Sequence, residues 1–195
     1  INKGINGDTS LNLYRRTQED VIALRPDLVF VMVGINDALS NVEATAVPYY
    51  RYSKRIPGGR VSPLAYRENM RAVLSKLAAA NIRTCVILPP VEYRPELVSC
   101  LNEINAHAAQ LCRELDIPAL DAMAALAPSH IPQRPPFGIR AYQQNLLIML
   151  GLKRYDHWQR QGQYTYTFDG VHLTEDGARR MADLIMQFLK REGLA

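Results

Sequence analysis

Cysteine is scarce in this chain. Cys85, Cys100 and Cys112 are the only three in 195 residues, and their spacing suits neither a disulfide framework nor a thiolate metal site. Cys100 and Cys112 fall on one predicted helix, where a rise of about 1.5 Å per residue puts them roughly 18 Å apart, beyond disulfide reach. Cys85 sits in a buried strand pattern. No apolar run approaches the ~18 residues of a membrane span. A dense Lys/Arg block is also missing: 23 basic against 19 acidic residues give a formal charge of +4, which argues against nucleic acid as the main partner. The chain opens on Ile1 rather than Met and has no leader-like start, so we expect a piece cut from a longer polypeptide.

With 48% hydrophobic residues the chain can bury a sizeable core, and 1–195 reads as one domain. Strand-like runs alternate with helical patterns, which predicts an α/β fold with a parallel sheet. A first helix is expected from Ser10 to Leu24, ending before Arg25-Pro26-Asp27. Leu28 to Val33 reads as a strand buried on both faces. Ser62 as cap and Pro63 in the first turn start a helix that runs to Ala80. Thr84 to Leu88 is the next strand, Glu96 to Leu115 an amphipathic helix, and Pro118-Ala119-Leu120 a short last strand. Thr174 caps a final helix whose buried stripe is Ala178, Met181, Ala182, Ile185 and Leu189.

Within this frame Asp169-Gly170-Val171-His172 carries the most chemistry. A carboxylate three residues before an imidazole can accept a hydrogen bond from one ring nitrogen, leaving the other free to take a proton from a hydroxyl. Two further turns belong with it: Asn2-Lys3-Gly4-Ile5-Asn6-Gly7-Asp8-Thr9, and Val33-Gly34-Ile35-Asn36-Asp37 at the end of a strand. Glycine allows close approach of its backbone N–H, and the asparagine amide is a neutral donor that does not titrate; both suit an oxyanion. Taken singly, each motif also reads as an ordinary strand-end turn or an Asx cap.

In this order, the three motifs resemble the SGNH hydrolases, also called GDSL-type esterases and lipases. The resemblance implies a three-layer α/β/α sandwich, flavodoxin-like, with strand order 2-1-3-4-5. It also implies Asp169 and His172 as acid and base, Gly7 and Asn36 as oxyanion donors, and no metal or organic cofactor. The family's nucleophilic serine lies in a Gly-Asp-Ser segment on the first strand, ahead of the glycine turn. No such segment occurs in these residues, so we expect no nucleophile in this chain. Ser10 follows Gly7-Asp8-Thr9, but its expected role is local capping, and Ser40 and Ser129 follow no glycine-bearing strand. An absent first strand at the switch point predicts a slot through the core and poor folding of the isolated chain, unless an N-terminal fragment supplies that strand.

Long segments at 39–62 and 128–168 read as lids or binding loops. The first contains Tyr49, Tyr50 and a basic cluster. The second contains an apolar helix around Ile139 to Leu150, and Trp158. Tyr49, Tyr50 and Trp158 could stack on a sugar or hold an acyl chain, although packing of the loops onto the body explains them equally well. The expected activity is cleavage of a small-molecule carboxylic ester, an O-acetyl saccharide or a short-chain lipid ester, through an acyl-enzyme. A ligand-binding pseudoenzyme and an acyltransferase on the same scaffold are the alternatives.

Overall fold

In a computed structural model of the chain, residues 1–136, Leu147, Leu150 and 155–194 are described. The elements run α1 (Ser10–Asp20), β1 (Leu28–Val31), α2 (Ile35–Val42), α3 (Pro63–Ala79), β2 (Arg83–Leu88), α4 (Pro95–Glu114), β3 (Ala119–Asp121), α5 (Ala122–Leu126), α6 (Tyr155–Gly162) and α7 (Glu175–Arg191). The three strands form one parallel sheet in the order β1-β2-β3. Leu28 lies opposite Arg83 and Val31 opposite Val86, while Val86 to Leu88 pair with Ala119 to Asp121. Parallel pairing follows from the connections, since helices carry the chain from each strand back to the start of the next.

Helices cover both faces, giving the expected three layers. On one face α3 contributes Tyr66, Met70, Val73, Leu74 and Leu77 and α4 contributes Leu97, Leu101, Ile104, Ala108 and Leu111, all buried in a single cluster with Val31, Val86 and Leu88. The spacings are those of one helical stripe, and each fully buried Leu or Met contributes about 1.5–3 kcal/mol. On the other face α7 sets Met181 and Phe188 against Cys85, Ile87 and Leu120. All three cysteines are buried as free thiols.

Local signals placed the helix ends well. Ser62 caps α3 by accepting from the Ala65 amide, with Pro63 in the first turn. Thr174 caps α7 through the Gly177 amide. The first helix ends earlier than the expected Leu24: α1 stops at Asp20, a 3₁₀ turn covers Ile22–Leu24, and Arg25 takes a left-handed φ of 49°. Pro26 disfavours the right-handed helical region for Arg25 and so stops the turn from continuing, although it lies too far on to account for the end of α1 at Asp20.

Three expectations need correction. The strand expected over Leu28 to Val33 and buried on both faces ends at Val31, and Phe30 and Met32 are 40% and 52% exposed. Val29 and Val31 face α3 and α4, whereas α7 lies over β2 and β3 and leaves the far end of β1 uncovered. The slot through the core is not seen either: the described strands are consecutive neighbours, and β1 forms one edge of the sheet. On the last helix Ala178 and Ala182 are exposed, and the buried side is Gly177, Met181 and Phe188 with Leu184 and Ile185 beside them. The apolar helix expected around Ile139 to Leu150 lies outside the described residues, apart from Leu147 and Leu150.

Candidate active site

The glycine turn is closed by the Asp8 amide on the Ile5 carbonyl, and Gly7 takes a φ of 78°. A Cβ on Gly7 would stand 2.1 Å from the Tyr49 hydroxyl and 2.7 Å from Lys54 Cε, so both backbone conformation and crowding select glycine. The π-turn at Tyr49–Ser53 and the residue after it strap this turn down. Lys54 Nζ bonds the Asn6 carbonyl and pairs with Asp8 at 3.0 Å, Arg16 Nε pairs with the same carboxylate at 2.8 Å, and Asn12 Nδ2 donates to the Lys54 carbonyl.

Asn36 stands in the first turn of α2, just past the carboxyl end of β1. Its Nδ2 donates to the Asp8 carbonyl at 3.1 Å, and its Oδ1 accepts from the Tyr50 hydroxyl at 2.8 Å. The Asp8 carbonyl, which can only accept, fixes which end of the amide is nitrogen, and Nδ2 keeps a second hydrogen to offer. Tyr50, expected as a substrate contact, is therefore buried at 3% exposure behind Asn36. Tyr49 is at the surface beside Gly7. Trp158 is half-buried on α6, edge-on to His157.

Asp37, next in sequence, faces inward and is fully buried. Its carboxylate accepts from the Ser10 amide and from the Ser10 hydroxyl, and Asn69 Nδ2 donates to that hydroxyl. Burial raises the Asp37 carboxyl from 3.8 to about 7, with the Ser10 bonds opposing the shift. Ser10 was expected to cap the helix locally; Thr9 holds that position, its amide and hydroxyl donating to Asn12. Buried and bonded to Asp37, Ser10 is closed off as a nucleophile. Ser40 is buried as well, donating to the Asp37 carbonyl and accepting from the Val61 amide. Ser129 is exposed on a groove of about 460 Å³ lined by Pro95, Asn102 and His130, which contains none of the predicted site residues.

Asp169 and His172 do meet. Asp169 Oδ2 lies 2.7 Å from His172 Nδ1, while Oδ1 accepts the amides of Val171 at 3.0 Å and His172 at 2.8 Å. The carboxylate is therefore held by its own turn and aimed at one ring nitrogen. Its side chain is 8% exposed against 47% for the imidazole, so Nε2 faces the open side. The hydrogen bond that the imidazole donates to Asp169 raises the His172 pKa above the usual 6.5, and desolvation opposes it. Phe168 stacks on the imidazole at 5.7 Å, and Tyr155 packs tilted against Phe168 at 4.6 Å. Gly170 has a φ of 90°, and a Cβ there would strike the Tyr93 backbone at 2.6 Å.

One residue in this region had gone unnoticed. Glu92, 1% exposed, sits just past the carboxyl end of β2 and gathers the segment that leads into Asp169. The amides of Thr165, Tyr166 and Thr167 and the hydroxyls of Thr165 and Thr167 all donate to its carboxylate. The sequence does carry a faint signal, an acid directly after the apolar run Val86 to Val91. Because the strands are parallel, Asn36 after β1 and the Glu92-held loop after β2 lie at the same end of the sheet, where open α/β folds bind ligands.

Comparison with known proteins identifies the family and the fold. Residues 1–180 match the GDSL-like Lipase/Acylhydrolase family. Over 37 residues, 19% of this chain and 17% of the relative, the sequence is 57% identical to an acetylxylan esterase of Geobacillus stearothermophilus. A solved structure of an acetylxylan esterase from that organism superposes with a TM-score of 0.64 at 20% identity, covering 97% of this chain and 71% of the other. Another acetyl xylan esterase structure gives 0.63 at 22% identity, covering 94% and 77%. Variants of the Geobacillus esterase described as catalytic mutants replace a serine, an aspartate or a histidine by alanine, the last two being three residues apart. The family match over most of its length, with its three motifs at one end of a parallel sheet, shows that this chain belongs to the GDSL-like lipase/acylhydrolase family.

Proposed function

We propose that these residues form the base and oxyanion parts of a serine esterase acting on small carboxylic esters. The Asp169–His172 hydrogen bond carries this reading, because it leaves an exposed imidazole nitrogen beside a buried, backbone-anchored carboxylate. A serine hydroxyl attacks the ester carbonyl and passes its proton to His172 Nε2. Asp169 balances the imidazolium charge and holds Nδ1 protonated. The Gly7 amide and Asn36 Nδ2 stabilise the oxyanion, each donor contributing about 10²–10³ in rate. Collapse expels the alcohol, protonated by His172, and leaves an acyl-serine; water deprotonated by the same imidazole then releases the acid.

We place the serine on a segment outside these 195 residues. Among the described residues β1 has a free edge, and that edge with the exposed Phe30 and Met32 beside it supports a further strand docking there. As substrate we favour O-acetyl saccharides over short lipid esters. The acetylxylan esterases that the chain resembles support this choice, as does Tyr49 at the surface by the glycine turn. The test is hydrolysis of acetylated xylo-oligosaccharide by the natural full-length polypeptide, with fluorophosphonate labelling mapped by peptide. We expect an adduct on a serine outside residues 1–195 and a loss of about 10³-fold or more in kcat for His172→Ala. Unchanged turnover in that variant would remove His172 from the chemistry.

A further inference from the structure

The Asp169-to-His172 turn does not hold itself in place. Its backbone is tied to the β2–α4 connection at two levels. The Glu92 amide donates to the Gly170 carbonyl at 2.9 Å, and the Glu92 carboxylate collects the amides and hydroxyls of residues 165–167. Thr167, fully buried, joins the two levels. Its hydroxyl donates to Glu92 and accepts from the Gly170 amide at 3.0 Å, so carboxylate, hydroxyl and turn form one chain of hydrogen bonds. Gly170 lies between Asp169 and His172 in sequence, and its amide is thereby fixed by the Thr167 hydroxyl.

Among the described residues, no lysine or arginine pairs with the Glu92 carboxylate. Arg134 is close but donates to the Glu92 and Tyr93 carbonyls instead. A buried carboxylate without a cation is unfavourable unless its lone pairs are filled, and here they are filled by donors of the segment that leads into the dyad. The dependence is mutual: the charge is tolerable only with residues 165–167 in this conformation, and that conformation keeps its amides bonded only with the charge present.

We propose that Glu92, acting through the Thr167 hydroxyl, is the positioning residue that sets the turn on which Asp169 meets His172. It touches neither substrate nor the reacting atoms. It acts by fixing where the Gly170 amide sits and hence how the carboxylate addresses Nδ1. This rests on the esterase reading only for its kinetic consequence; the geometric part stands without it.

Thr167→Val tests it, since valine keeps the shape of threonine but can neither donate to Glu92 nor accept from Gly170, and leaves the buried carboxylate in place. In the natural full-length polypeptide we expect kcat to fall about tenfold with KM within about twofold. The His172 midpoint, followed by NMR of the imidazole, should drop by roughly half a pH unit as its bond to Asp169 loosens. Thr167→Ser should restore both. A folded Thr167→Val protein with unchanged His172 titration and unchanged kcat overturns the proposal. If that variant does not fold, amide exchange in the unaltered protein decides: the Gly170 N–H must be protected, and exchange at the rate of an unstructured glycine overturns the assignment. If His172 responds while no form of the protein cleaves esters, the esterase reading fails and the positioning role stands.

Discussion

The two halves of the site are held in opposite ways. Around Gly7 and Asn36 the supports are several and independent: Lys54 and Arg16 on Asp8, Asn12 on the Lys54 carbonyl, Tyr50 on Asn36, and Ser10 on Asp37. Around Asp169 and His172 the turn's own amides hold the Asp169 carboxylate, and the segment leading into that turn converges on one further carboxylate, Glu92. A donor for an oxyanion needs only a placed N–H, so many small contacts suffice. A base that must accept a proton and return it needs one tautomer and one orientation, which a single tightly bonded centre enforces.

Substitutions can break or sharpen this contrast, and the largest effect belongs to the dyad. Asp169→Asn should lower kcat about 10³–10⁴-fold, because the amide can present a hydrogen to Nδ1 and invert the tautomer. Its pH profile supplies a second reading. The base works only when neutral, so in the unaltered protein activity should rise with pH along a limb centred above 6.5, the direction in which Asp169 moves His172. In Asp169→Asn that limb should move to lower pH; a limb that stays put would mean another group sets it.

On the oxyanion side, Asn36→Ala should cost about 10²-fold in kcat with little change in KM, and Tyr50→Phe only severalfold, since Asp8 still holds the amide. Equal losses for the two would show that orientation by Tyr50 matters as much as the donor. The smallest kinetic effect is expected at Asp37, whose influence is on stability. A carboxyl raised from 3.8 to about 7 in the folded state binds its proton more tightly there than in the unfolded chain. Its contribution is thus fully present below about pH 4 and is lost as pH rises to about 7. The corresponding free energy is on the order of 4 kcal/mol at most. Denaturant unfolding at pH 4.5 and 8 should show this fall, and Asp37→Asn should flatten it.

Much of the fold could be read from local rules. The Ser62 and Thr174 caps follow from short-range spacing, and the structure places them where that spacing does, whereas the stripe expected on the last helix shifts off Ala178 and Ala182. The exposed side of β1 could not be read that way, because Phe30 and Met32 have the composition of a core strand and only the position of α7 leaves them uncovered. The same division runs through the site. Gly7, Asn36, Asp169 and His172 stand out as motifs, whereas Tyr50, Asp37 and Glu92 act through partners far away in sequence, and such bonds leave no periodic trace.

That separation has a consequence for the order of folding. Glu92 and Thr167 are 75 positions apart. Closing a loop of that length costs about 4 kcal/mol of chain entropy before any bond across it forms. The helices α3 and α4 and the β2–β3 pair are built from nearer neighbours and can form first. The dyad turn is therefore expected among the last parts of the molecule to settle. A chain with its core already assembled would still lack an organised base, so pulse-labelling during refolding should find the Gly170 amide protected only after those of β2.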